Sequence, residues 1–139
     1  MTKLFRAAHE AGIRVEYCQI PLNGSISAPD AEGDFVLMDY SLIGTGPTER
    51  VHLAHEIGHC TTDSFYNRHT PFDIRQKHEN RADKWAIKKL VPEDELNEAV
   101  SNGITEPWEL AEYFNVTEDF MKKAVCYYTN SNLAADLYF

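Results

Sequence analysis

The spacing of apolar positions changes along the chain, and each change marks a new predicted element. From Thr2 to Gly12 the apolar residues recur at helical spacing, which predicts a short amphipathic helix. Segments rich in β-branched and aromatic residues follow at 13–20, 24–28 and 34–40, and clusters of turn residues separate them. These three segments predict a small antiparallel sheet.

Helical spacing returns after the break at 44–47. Pro47 suits the first turn of a helix that runs through residue 59, and a second long helix is predicted from Ile74 to Leu90. Three shorter helices follow, at 93–101, 105–114 and 118–128. The pattern predicts an α+β fold: a small sheet packed on two long helices, with a helical C-terminal region.

Length and composition indicate one compact domain. The chain has 139 residues, of which 43% are hydrophobic and 25% charged. This is enough for one core, so we expect a single domain over 1–139, with an α+β part at 1–92 and a helical part at 93–139. Without a long apolar run or a signal-like start, the sequence predicts a cytoplasmic protein that does not bind membranes. An odd number of cysteines predicts free thiols: Cys18, Cys60 and Cys126.

Acidic residues are concentrated in the second part of the chain. The formal net charge is −9, and residues 92–139 contain ten acidic residues against Lys122 and Lys123. Phosphate contacts need cations, so this region is not expected to bind nucleic acid directly.

The strongest chemical signal lies in the first long helix, where His55-Glu-Ile-Gly-His59 places two imidazoles one helical turn apart. Residues at this spacing share a face and lie about 6 Å apart along the axis, so both can reach one metal ion. A hydrolytic zinc site usually has a third protein ligand and one open position for water. Glu56, between the histidines, then suits the role of general base.

Five residues downstream offer atoms for the third ligand: Cys60, Asp63, His69, His78 and Glu79. Helical geometry removes two of them, because Cys60 points about 100° away from His59 and Asp63 lies about 12 Å along the axis from His55. His69 falls in a loop, so spacing does not exclude it.

Glu79 is favoured over the remaining candidates. Asp83 follows it by one helical turn and can orient a ligand histidine through the free ring N–H. His78 faces away from that pair.

Three stretches together resemble the ImmA/IrrE metallopeptidases, which occur in phages, integrative elements and bacterial genomes. They are His55-Glu-Ile-Gly-His-Cys, Glu79-Asn-Arg-Ala-Asp-Lys-Trp-Ala and Leu90-Val-Pro. The resemblance implies that His55, His59 and Glu79 hold one zinc ion and that Glu56 is the catalytic residue. It also implies a metallo-endopeptidase that cleaves a regulatory protein, such as a DNA-binding transcriptional repressor. Two imidazoles and a carboxylate also accept Mn²⁺ or Fe²⁺.

One position departs from that pattern. Family members commonly carry a small hydroxyl residue three positions before the first histidine, where this chain has His52. His52 lies one turn before His55 on the same face. We interpret it as a packed or hydrogen-bonded histidine rather than a substrate contact.

A second class of function is a non-catalytic, metal-containing regulatory module. Residues 110–121 resemble the helix-turn-helix-like segment of the family, through which such a module would bind a repressor or DNA. The acidic composition of this segment disfavours DNA. Glu56 favours the enzyme, because a structural metal site needs a fourth protein ligand and no base.

Overall fold

The computed structural model describes residues 1–20, 24–44 and 46–130. The predicted turn at 21–23 and the tail at 131–139 lie outside the described residues. Seven helices and three strands form in the described part of the chain. In chain order they are α1 (Thr2–Glu10), β1 (Arg14–Tyr17), β2 (Ser25–Ala28), β3 (Phe35–Met38), α2 (Tyr40–Ile43), α3 (Pro47–Thr61), α4 (Phe72–Leu90), α5 (Glu93–Ser101), α6 (Pro107–Phe114) and α7 (Glu118–Thr129).

The α+β class is confirmed, but the sheet is mixed and not purely antiparallel as predicted. Its strand order is β1-β3-β2, with β2 antiparallel and β1 parallel to β3. The reason is the apolar character of β3, whose Val36 and Met38 are fully buried. A central position covers this strand on both sides, whereas the more polar β1 and β2 tolerate the sheet edges.

The two long helices approach each other closely at one point. A Cβ atom on Gly58 of α3 would lie 2.6 Å from the backbone oxygen of Ala82 on α4. Glycine is therefore required for this contact, and it lets the polar faces of α3 and α4 meet at short range.

The C-terminal helices pack on the same core as α3 and α4. Asn115 adopts a left-handed conformation between α6 and α7, and Thr117 caps α7 by accepting a hydrogen bond from the Phe120 amide at 3.2 Å. The Arg50 guanidinium donates to the Asn115 carbonyl at 3.0 Å, so α3 also satisfies the end of α6. The division into parts at 1–92 and 93–139 stays a prediction. None of the described helices is both long and apolar enough to cross a membrane.

Candidate metal centre

Helix α3 presents the two histidines of the motif to the same point. The Nε2 atoms of His55 and His59 lie 3.1 Å apart. The other ring nitrogen of each histidine donates a hydrogen bond. His55 Nδ1 donates to Asp83 Oδ1 at 2.8 Å, and His59 Nδ1 donates to the Ser64 carbonyl at 2.7 Å. These bonds set the tautomers of the neutral rings, in which each Nε2 offers its lone pair to a proton or a metal ion at this point.

Glu79 of α4 completes the group. Its Oε2 lies 3.0 Å from His55 Nε2, and its Oε1 lies 2.9 Å from His59 Nε2. Ligands of a tetrahedral zinc ion, each about 2.0–2.1 Å from the metal, are about 3.3 Å apart. The three donor atoms lie within 4.8 Å of one another and fit that arrangement after small side-chain movements.

The electrostatics of the group favour a cation. Burial works against protonation of His55, but the carboxylates of Asp83 and Glu79 outweigh it and raise the pKa of the ring to about 10. Burial also opposes the charged form of Glu79, yet hydrogen bonds from His55 and His59 hold its pKa well below the usual value. The electrostatics of the site therefore favour positive charge, as a proton or as a metal ion.

Asp83 makes the histidine contact predicted for it and also reaches the C-terminal helices. Lys123 of α7 donates to Asp83 Oδ2 at 3.0 Å, while Asp83 Oδ1 accepts from His55. The Asp83 side chain is 15% exposed and that of Lys123 is 51% exposed. A chain of three residues thus links α7 to the histidine.

Glu56 lies beside this group, with its side chain directed to strand β2. The residue is 8% exposed. Its Oε1 accepts a hydrogen bond from Ser27 at 2.6 Å and its Oε2 accepts one from Ser25 at 2.8 Å. Ser25 Oγ also lies 2.8 Å from His52 Nδ1, so His52 is hydrogen-bonded, in agreement with its sequence interpretation.

A cleft of about 610 Å³ exposes these groups to solvent. One wall comes from β2 and the other from the start of α7, with Tyr66 at the α4 side. Burial, together with the Glu79 carboxylate, raises the pKa of the Tyr66 phenol to about 12, so it is protonated at neutral pH.

The other third-ligand candidates lie apart from the group. His69 is exposed in the loop after α3, where its Nε2 accepts from Arg68 at 3.4 Å. His78 stacks on Tyr66 instead, with ring centroids 6.3 Å apart. Cys60 belongs to the hydrophobic core. The structure brings Glu79 and neither of these histidines to His55 and His59.

Sequence reasoning missed Ser25 and Ser27. Strand alternation places them on one face of β2, but a serine pair carries no signal of which face meets α3. In the sequence His52 stands out only as a departure from a family pattern, and nothing there points to its partner Ser25 on β2.

Comparison with known proteins agrees with this geometry. Residues 45–125 match the model of the IrrE N-terminal-like domain, Peptidase_M78. Searches of curated proteins and of solved structures found no match. The matched range includes α3, α4 and most of α7, and therefore every donor atom of the candidate metal centre. The resemblance to ImmA/IrrE proteins is confirmed: the chain belongs to the family of the IrrE N-terminal-like domain, whose members are of metallopeptidase type.

Proposed function

We propose that this protein is a zinc-dependent endopeptidase that hydrolyses a peptide bond in a regulatory protein, namely a DNA-binding transcriptional repressor. The observation that carries the proposal is the pairing of a three-donor group with Glu56 in one open cleft. Family membership supports peptidase chemistry. The metal, the substrate and the roles of the site residues are our proposals.

His55, His59 and Glu79 are proposed as the metal ligands. In the part of the chain that the structure describes, three side chains come together as possible ligands. Hydrolytic zinc sites that retain a position for water have the same number of protein ligands. Zinc bound there supplies Lewis acidity, which polarises the scissile carbonyl and lowers the pKa of the attacking water. Asp83 and the Ser64 carbonyl fix the ring orientations that this binding requires.

Glu56 is proposed as the general base. Its carboxylate accepts the proton of the attacking water and then delivers it to the leaving amine. Each carboxylate oxygen has about two lone-pair sites, and the serines occupy one at each oxygen. One site per oxygen stays available for the water.

The proposed partner is a basic protein, because the C-terminal helices expose acidic and aromatic side chains together. On α6, Trp108 is 54% and Tyr113 is 56% exposed, and Glu109 and Glu112 lie between them. Aromatic residues are enriched at protein interfaces, and opposite charge speeds association. The same charge opposes contact with phosphates, so we propose no direct binding of nucleic acid.

The test combines metal analysis with cleavage. Purified protein is analysed for Zn, Mn and Fe, then incubated with the repressor encoded nearest to its gene and with a quenched fluorescent peptide library, and products are located by mass spectrometry. We expect about one zinc per chain and cleavage that a chelator abolishes. One tightly bound metal with no cleavage of either substrate would support the regulatory-module alternative instead.

A duplex titration tests the partner proposal. We expect a basic repressor to bind at low salt more tightly than at physiological salt, and duplex DNA to show no comparable binding. Micromolar duplex binding that weakens steeply with salt would overturn the proposal that the acidic face binds protein.

A further inference from the structure

Two serines of strand β2 donate hydrogen bonds to the carboxylate of Glu56 from one side. Ser25 and Ser27 are two residues apart, so both point to the same face of the strand, towards α3. Each donates to a different carboxylate oxygen, at 2.8 Å and 2.6 Å. This two-point contact constrains the position of the carboxylate and the rotation of its plane.

The serines are themselves held by the sheet. Ser25 is paired with Met38 and Ser27 with Val36 in the antiparallel register of β2 and β3. Val36 and Met38 are fully buried in the core. The hydroxyl positions therefore depend on a well-packed strand rather than on a mobile loop.

The hydrogens in this cluster determine the state of His52. Ser25 has one hydroxyl hydrogen and gives it to Glu56, so the atom 2.8 Å away, His52 Nδ1, must be the donor to Ser25 Oγ. Burial lowers the pKa of His52, so the ring is neutral at pH 7.5. The arrangement thus requires the Nδ1–H tautomer, with Nε2 unprotonated.

We propose that Ser25, Ser27 and His52 are positioning residues that hold Glu56 ready to accept a proton. The inference rests on the proposed function, in which Glu56 is the base. A glutamate side chain turns about three bonds, and two donors from one rigid strand restrict it to one placement beside the metal ligands. His52 restricts the Ser25 hydroxyl in turn, so that its hydrogen points to Glu56.

A purely structural role for the serines is the competing explanation. A buried carboxylate needs donors whatever its function. The two explanations differ in what the serine variants do: positioning predicts a lower kcat with unchanged substrate binding, whereas a structural role predicts lower stability with unchanged kcat.

The first experiment reads the tautomer of His52 without any assay of activity. Long-range ¹H–¹⁵N NMR spectra of the ¹⁵N-labelled, zinc-loaded protein are recorded at pH 7.5. We expect His52 in the Nδ1–H form, and loss of that preference in Ser25→Ala. An Nε2–H form of His52 in the wild-type protein would overturn the proposed chain of donors.

The second experiment measures kinetics with the best-cleaved peptide of the fluorescent library. Ser25→Ala and Ser27→Ala should each lower kcat by about 10- to 100-fold, the size expected for a base displaced by up to about 1 Å. KM should stay within about twofold and the zinc content should not change. Ser25→Thr and Ser27→Thr keep a hydroxyl and should restore most of kcat, and the exposed Ser101→Ala is the matched control.

Glu56→Gln distinguishes a failure of the proposed function from a failure of the positioning role of the serines. If it cleaves as well as the wild type, the proposed function is wrong, and the donor chain is then judged by the tautomer alone. If Glu56→Gln is inactive while both alanine variants keep the wild-type kcat, the proposed function stands and the positioning inference is wrong.

Discussion

The helix pair α3–α4 and the helices α5–α7 share one apolar core, but only α3 and α4 also bring together a cluster of polar side chains. Where α3 and α4 line the cleft, imidazoles and carboxylates face each other and hydrogen bonds link them; the side chains of His55, Asp83 and Glu79 are 21%, 15% and 33% exposed. The interior of α5–α7 is apolar, and the acidic side chains lie outside. The apolar residues are Leu96, Ala99, Leu110, Ala111, Phe114, Phe120, Met121, Ala124 and Tyr127.

The difference indicates that the polar cluster of α3 and α4 has a chemical function, whereas the buried residues of α5–α7 serve packing. Withdrawing a polar group from solvent is unfavourable unless it is hydrogen-bonded, so a cluster of partly buried imidazoles and carboxylates indicates a function that needs them. The apolar interior of α5–α7 needs no such explanation, because its burial stabilises the fold directly. The two regions meet at Lys123 and Asp83, where an exposed ammonium of one contacts a partly buried carboxylate of the other.

The largest expected effect on zinc affinity comes from removing a proposed ligand rather than a residue near the ligands. Glu79→Ala removes one of the three donors and should lower zinc affinity by more than the 10- to 100-fold typical of losing a residue that only supports a ligand. Zinc affinity is measured by competition with a chromophoric chelator, with the exposed His69→Ala as control. Unchanged affinity in Glu79→Ala, with loss in His69→Ala, would show that the third ligand is wrongly assigned.

Asp83→Ala tests the hydrogen bond that orients the proposed ligand His55. The His55 ring would lose the carboxylate that sets its tautomer, and zinc affinity should fall by about 10- to 100-fold. The same competition measurement applies. An affinity equal to that of the wild type would mean that Asp83 serves only the ion pair with Lys123.

Gly58→Ala tests whether the polar cluster between α3 and α4 depends on the close approach of the two helices. The added methyl group would meet the Ala82 backbone at 2.6 Å, so the helices must separate. We expect a loss of about 1–3 kcal/mol in the free energy of unfolding of the metal-free protein, the usual size of overpacking. Denaturant unfolding measures this free energy. An unchanged midpoint would show that α3 and α4 can accommodate the methyl group without loss of stability.

Lys123→Met should have the smallest effect, because it breaks a half-exposed ion pair. Such pairs contribute about 0.2–1 kcal/mol, which corresponds to at most about a fivefold loss of zinc affinity. Lys122→Met is a matched control, since Lys122 pairs with Glu118 on the outer side of α7 at 3.4 Å. Equal effects of the two variants would show that α7 does not support the proposed metal centre.

Local patterns predicted the helices well and the strand pairing poorly. The predicted helix at 93–101 agrees with α5, and the helix from Ile74 to Leu90 differs from α4 only in its start at Phe72. Helical spacing is local, whereas the choice of a strand partner depends on which strand the core covers. The parallel pairing of β1 with β3 has no local signal, and neither has the short helix α2.

The same distinction applies to the site. His55, Glu56 and His59 stand out because their spacing lies within one helix, and Glu79 stands out through its spacing to Asp83. Ser25 reaches Glu56 across a separation of 31 residues, through the packing of a strand edge on a helix. Contacts made by tertiary packing between ordinary residues have no pattern that a single sequence displays.

Cleavage by Glu56→Gln tests the central claim most directly, because this exchange alters the proposed base and leaves all three proposed ligands in place. The zinc-loaded variant and the wild type are compared on the same repressor or peptide, alongside zinc content and thermal midpoint. We predict at least about a 100-fold loss of turnover with both other quantities unchanged, the share usually due to acid–base catalysis. Turnover equal to that of the wild type would contradict the peptidase mechanism.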